Sequence, residues 1–244
     1  MFKTVNFPLN KDDRTFMPYF NQDFIVFFTE LEKNNNREWF NANKSRYEKS
    51  VKEPFYDFVQ DMIFRIHEQD PAIMITPEEA IFRIYRDLRF SKDKTPYKTY
   101  VSAVISPRGR KDNTYPGVYL EVNAKYIRFY SGIYKMTKEQ LQSVRSFIAA
   151  YPEEFNSLIK AKKFRQVFGK ILGEQNKRVP PEFKNLLKEQ PLIANKQFYY
   201  YKEINSENLL RKDLPQRLMK YYFASQPLNK FLKEGLEFTS TKLR

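Results

Sequence analysis

The chain contains no cysteine, a single histidine, a single tryptophan and six glycines in 244 residues. Without cysteine it forms no disulfide, offers no thiolate nucleophile, and ligates neither a zinc finger nor an iron-sulfur cluster. One histidine, His67, excludes a two-histidine metalloprotease helix and a two-histidine facial triad. It lies in "FRIHEQDP", near an expected helix C-terminus, where a hydrogen-bonding or cationic side chain is favoured for local reasons. The glycines, at 109, 117, 132, 169, 173 and 235, show neither P-loop nor dinucleotide spacing. No apolar run approaches the roughly 20 residues of a membrane span, and "MFKTVNFPLNKDDR" lacks a signal peptide's apolar block. A soluble, cytoplasmic protein with no membrane partner is expected. No pattern names a cofactor, a metal site or an oligomeric state.

Aromatic residues and positive charge are present in quantity. Phe and Tyr, 23 and 17 copies, supply material for a folded core. The formal charge is +14, of which +11 falls in residues 160–244 with 19 basic and 8 acidic side chains. Such an excess attracts polyanions, although lysine-rich solvated helices give the same count.

Hydrophobic spacing divides the chain into helix, sheet and helix. "NQDFIVFFTELEKN" carries Phe24, Phe27, Phe28 and Leu31 at helical spacing, with Asn21 or Asp23 as cap. In "NNNREWFNANKSRYEKSVKEPF" the pair Asn35 and Glu38 is placed like a capping box, and Pro54 is expected to break or kink the helix. Asp57, Asp61 and Arg65 follow at four-residue spacing, which reads as a solvated face with an Asp61–Arg65 ion pair. From Ala80 the period becomes two. Phe82, Ile84, Leu88 and Phe90 alternate with Arg83, Tyr85, Asp87 and Arg89, predicting a first strand with Arg86 on its apolar side. "KTYVSAVIS", "GVYLEV" and "KYIRFYSGIY" predict three more, with a tight turn at Asn123 and Ala124. "SPRGRKDNTYPG" reads as a loop. Helices return after Thr137, with Pro152 suited to a first turn, and end in the pieces "EFKNLLKE", "LPQRLMKYYFA" and "PLNKFLKEGLEF". A single α+β domain over 1–244 is expected, its central antiparallel sheet of about four or more strands flanked by N-terminal and C-terminal helices.

One stretch concentrates chemistry. "RIYRDLRFSKDKTPYKT", residues 83–99, holds six cations and two aspartates. Arg83, Arg86, Arg89, Lys92, Lys94 and Lys98 are candidate ligands for a small phosphorylated or carboxylated anion, because guanidinium forks and ammonium groups both bind such oxygens. The competing view is structural reinforcement, with Asp87 and Asp93 pairing the arginines. Arg86, on the apolar side, must reach a partner or the strand edge. Asp87 and Asp93 are the candidate general bases for an enzyme acting on a phosphate ester, weakened in that role by neighbouring cations. Glu78, Glu79 and Glu121 are further acidic candidates. A nucleic-acid partner is the alternative: the basic C-terminal third tracks phosphates while exposed Tyr199, Tyr200 and Tyr201 stack bases, unless "QFYYYKEI" is a strand on the core.

Taken with "NNNREWFNANKSRYEKSVKEPF", "GVYLEV" and "SGIY", this motif resembles the bacterial and fungal domain-of-unknown-function family numbered 2461, over roughly residues 20–225. The resemblance implies a globular α+β domain and no established activity. The chain departs from the family's pattern at Pro181 and Glu182 and at Tyr130, Ser131 and Gly132. Asn35, Arg37, Trp39, Lys44 and Tyr47 belong to the same signature, so a helix presenting Arg37 and Lys44 towards the cationic strand is expected to complete the pocket. Trp39 is expected in the core.

Overall fold

In the computed structural model, residues 17–111 and 114–238 are described. The chain is α+β, with a four-stranded antiparallel sheet in the order β1-β2-β3-β4. Helices α1 (Gln22–Lys33), α2 (Arg37–Ala42), α3 (Lys44–Tyr47), α4 (Glu53–His67) and α5 (Pro77–Ala80) precede β1 (Val101–Ile105), β2 (Gly117–Val122) and β3 (Tyr126–Ile133). Then come α6 (Lys138–Ala150), α7 (Pro152–Lys160), α8 (Lys162–Phe168), β4 (Phe198–Asn205) and α9 (Leu214–Glu237). Two compact units are distinguished, one comprising 17–111, 119–129 and 203–219, the other 114–118, 130–202 and 220–238.

The first unit is built on the phenylalanines. Phe24, Phe27, Phe28 and Leu31 form the buried stripe of α1, whose N-cap Asn21 accepts a hydrogen bond from the Phe24 amide. Phe55, Phe58, Val59, Met62 and Ile66 form that of α4. Asp61 and Arg65 pair at 2.9 Å, as their spacing requires. His67 ends α4, its Nδ1 3.1 Å from the Ile73 carbonyl oxygen. Pro54 does not break the helix. The π-helical turn Glu48–Lys52 precedes it, and it occupies the first turn of α4, where an amide hydrogen has no intrahelical acceptor to lose. The α2 cap is Asn36, which accepts from the Trp39 amide, and not Asn35.

The predicted first strand does not form. Residues 82–90 keep the alternation, with Ile84 buried and Arg83, Tyr85, Asp87 and Arg89 exposed, but pair only through bridges at Ile81–Ala103 and Tyr85–Tyr97. Beyond Arg86 the backbone curls into a turn and the ladder stops. The sheet's fourth strand is β4. Asn123 closes the β2–β3 turn, its Oδ1 accepting from the Lys125 and Tyr126 amides at 2.8 and 2.9 Å.

In the second unit, Val144, Phe147 and Ile148 of α6 are buried, and Pro152 opens α7. Gly132 adopts φ +94°, and a Cβ there would lie 2.2 Å from the Phe198 carbonyl oxygen, so only glycine fits the β3–β4 approach. "EFKNLLKE" forms two short 3-10 turns, Pro181–Phe183 and Leu186–Lys188, in place of a helix. The two C-terminal pieces are one helix, α9, running through Pro227. Shortly before the proline, Ser225 Oγ donates to the Tyr222 carbonyl at 2.7 Å.

Candidate functional site

The cationic motif lies entirely in the first unit and divides into a self-contained turn and a cationic pair. Arg86, its side chain 24% exposed, organises the turn. It donates to Asp93 at 2.6 Å, to the Thr95 carbonyl at 3.1 Å and to Ser91 Oγ at 3.3 Å, and it also bonds the Thr95 hydroxyl. Asp93 accepts from the Thr95 amide at 2.9 Å, and Ser91 Oγ donates to the Asp93 carbonyl at 2.8 Å. Arg89 and Asp87 pair at 2.7 Å, and Lys94 donates to the Leu88 carbonyl at 3.1 Å. Phe90 stands at the tip, 94% exposed, with the Arg89 guanidinium 5.9 Å from its ring centre.

These contacts fix the protonation of both aspartates. Hydrogen bonds from the Arg89 side chain and amide lower the Asp87 pKa to about 2. The Thr95 amide, then Arg86, lower that of Asp93. Both are carboxylates at neutral pH and poor proton acceptors.

Arg83 and Lys98 are arranged differently. Lys98 is half-buried, its Nζ 5.3 Å from the Phe82 ring centre and 5.9 Å from that of Tyr100. Its backbone amide donates to Ile84 O at 2.8 Å, which sets it opposite Ile84 across the Tyr85–Tyr97 bridge. Burial lowers its pKa first and the charge of Arg83 second, while Glu121 opposes both. Among the described residues, neither Arg83 nor Lys98 forms an ion pair, and the same holds for exposed Lys92.

The carboxylate that Lys98 feels is held elsewhere. Glu121 of β2, its side chain 13% exposed, accepts from Tyr126 Oη at 2.8 Å and Tyr119 Oη at 3.2 Å, with Arg128 Nη1 at 3.4 Å. Arg128 stacks 3.7 Å from the Tyr126 ring centre and binds Glu203 at 2.6 Å. Burial raises the pKa of Tyr119 and of Tyr100. Lys98, Arg83, Tyr100 and this tyrosine-clamped carboxylate thus form one polar neighbourhood. Sequence reading left Glu121 unranked. Its signal was available, since period two in "GVYLEV" and "KYIRFY" sends Tyr119, Glu121, Tyr126 and Arg128 to one face across a short turn. Of the other acids considered, Glu78 accepts from Tyr56 Oη at 2.8 Å and Glu79 closes the α5 capping box.

Arg37 and Lys44 are exposed on α2 and α3 and make no ion pair among the described residues. Arg37 acts on the Tyr97 hydroxyl, whereas no hydrogen bond ties Lys44 to the motif. What joins the two signatures is apolar and amide contact. Phe40 stacks on Tyr97 at 4.0 Å, and Asn35 bonds the Tyr97 backbone. Trp39 is half-buried against Phe27, not in the core.

The consecutive tyrosines of β4 are not an exposed stacking row. Tyr200 is fully buried, and its hydroxyl donates to Asn229 Oδ1 at 2.7 Å. Tyr199 packs edge-on to Tyr134, and Tyr201 lies 4.9 Å from Tyr130. Among the described residues, no group of three or more His, Asp or Glu side chains is placed to hold a metal ion, and no helix is long and apolar enough to cross a membrane.

Residues 23–231 match the profile of a family described as conserved hypothetical protein (DUF2461). No curated protein matches the chain.

Proposed function

We propose that this chain, which belongs to the DUF2461 family, binds a small phosphorylated or carboxylated ligand through Arg83 and Lys98. One observation carries the reading. Arg86 and Arg89 form ion pairs within the motif, whereas Arg83 and Lys98, whose charges act on each other, form none among the described residues, although the Arg83 charge also acts on Asp87. Two adjacent cations repel, and an anion between them relieves that repulsion while gaining charge-assisted hydrogen bonds. The Phe82 and Tyr100 rings hold Lys98 partly out of water, which strengthens its attraction for an anion relative to a fully solvated lysine. This narrows the cationic motif to two residues and assigns the Arg86 turn to scaffolding.

Calorimetry and thermal shift with inorganic phosphate, a sugar phosphate, a nucleotide and citrate test it. At least one should stabilise the wild type, with affinity about tenfold weaker in Arg83→Gln or Lys98→Gln, the loss of one charge-assisted contact. Arg89→Gln should bind as the wild type does, because Arg89 is occupied by Asp87. Equal binding by wild type and an Arg83→Gln/Lys98→Gln double variant overturns the assignment.

A further inference from the structure

We propose that the face of β3 and β4 turned away from α9 is a stacking platform for single-stranded nucleic acid, carried by Tyr130, Tyr134, Tyr199 and Tyr201. Along β3 and one residue beyond it, Tyr130 and Tyr134 alternate with buried Ser131 and Ile133; on β4, Tyr199 and Tyr201 alternate with buried Phe198 and Tyr200. Period two therefore puts all four tyrosines on one side of the sheet. The other side belongs to α9, whose Asn229 accepts from Tyr200 Oη at 2.7 Å and donates to Ser131 Oγ at 2.8 Å. The four rings make one unbroken row across the two strands. Ring centres lie 4.9 Å apart from Tyr201 to Tyr130, 6.5 Å from Tyr130 to Tyr199 and 5.3 Å from Tyr199 to Tyr134. Tyr134 is 64% exposed and the other three are half-buried, so the row reaches solvent along its length.

Charge decides what such a row receives. All four tyrosines belong to the second unit, whose described residues hold 17 basic and 8 acidic side chains, a net of +9. Two of its lysines border the row. Lys135 follows Tyr134 directly, and Lys170 stands two residues before Leu172, whose amide donates to Tyr199 O at 2.7 Å and whose carbonyl accepts from Tyr199 N at 3.3 Å. Both lysines are exposed and form no ion pair among the described residues. A neutral glycan also stacks on tyrosine but gains nothing from this unbalanced charge, whereas a polyanion carrying flat bases uses both features. A duplex keeps its base faces inside its own stack, so the single strand is the form that fits. Every base has a π face, and binding is expected to be indifferent to sequence.

Fluorescence anisotropy of the full chain with labelled oligo(dT) and oligo(U) strands is the test. Both should bind at about 50 mM salt, and about tenfold more weakly at 200 mM, as phosphate contacts made by a few lysines require. Tyr134→Ala should weaken binding about fivefold or more, the loss of one base–ring stack, and Tyr134→Phe, which keeps the ring, should restore it. Tyr134 is mostly exposed, so its removal leaves the core intact, and circular dichroism verifies the fold of each variant. Tyr199→Ala should act in the same direction. Lys135→Gln and Lys170→Gln should each make the affinity less sensitive to salt. No binding to either strand at about 50 mM salt overturns the proposal. So does salt-sensitive binding that is unchanged in Tyr134→Ala, which assigns the interaction to charge alone, or a duplex bound as tightly as the single strand. Tyrosine-dependent binding of a neutral oligosaccharide, with none of either strand, also overturns it and gives the face to carbohydrate.

Discussion

Asn35 and Tyr97 hold each other as two strands do: Asn35 Nδ2 donates to the Tyr97 carbonyl at 2.9 Å and the Tyr97 amide donates to Asn35 Oδ1 at 3.1 Å. One side chain thereby supplies a full backbone-like pairing across 62 positions of sequence.

Asn35→Ala should destabilise the protein by about 1–3 kcal/mol, because the Tyr97 amide and carbonyl both lose partners in a partly buried setting. Asn35→Asp keeps the acceptor and loses the donor, and should fall between wild type and Asn35→Ala. Urea unfolding midpoints measure the order of the three.

The turn closed by Arg86 should respond very differently from its tip. Arg86→Ala removes every guanidinium contact to Ser91, Asp93 and Thr95, and should accelerate hydrogen exchange at the Thr95 amide with a global loss of about 1 kcal/mol. Phe90→Ala should change stability by less than about 0.5 kcal/mol, since its ring is surrounded by solvent.

Arg145 is 3% exposed and has no carboxylate partner among the described residues. Its guanidinium instead donates to the carbonyls of Ile193, Ala194 and Asn195 at 2.8, 3.4 and 3.1 Å. A lysine ammonium lacks the fork that spans consecutive carbonyls, so Arg145→Lys should cost about 3 kcal/mol in denaturant unfolding. Arg145→Met, which leaves no buried charge, tests whether the loss lies in the orphaned carbonyls.

Stability should fall steeply in alkali. Burial raises the phenol pKa of Tyr200, Tyr47 and Tyr119 above the usual value of about 10. The neutral form is thus favoured in the fold, and the contribution is complete below about pH 10, where the unfolded phenol is also protonated. As pH rises towards the folded value, the unfolded chain alone releases its proton, and stability drops by about 1.4 kcal/mol per pH unit for each such tyrosine. Unfolding free energies at pH 8 and pH 11 measure this slope, and Tyr200→Phe should lessen it.

Much of the fold was legible because neighbouring residues specified it. The Asn21 cap, the alternation in β2 and β3, the Asn123 turn and Pro152 at the start of α7 all act within a few positions. Distant partners overrode local signals elsewhere. Residues 82–90 alternate like a strand, yet Arg86 shares the register of Ile84 and Leu88, and its attachment to Asp93 and Thr95 turns the chain away. Asn35 looked like a cap because its real partner, Tyr97, lies far along the sequence. The same distance concealed the carbonyls that receive Arg145. The motif itself was visible as a charge cluster; its division into occupied and unoccupied cations depends on side-chain pairing that spacing does not encode.

The sheet order has a consequence during synthesis. β3 and β4 are neighbours, but all of the chain between Ile133 and Phe198 must emerge before β4 exists to pair with β3. At roughly 5–20 residues per second, the edge of β3 waits some seconds on the ribosome with its amides and carbonyls unpaired. The nascent β1–β2–β3 meander is therefore the stage at which this chain is most open to pairing with another copy.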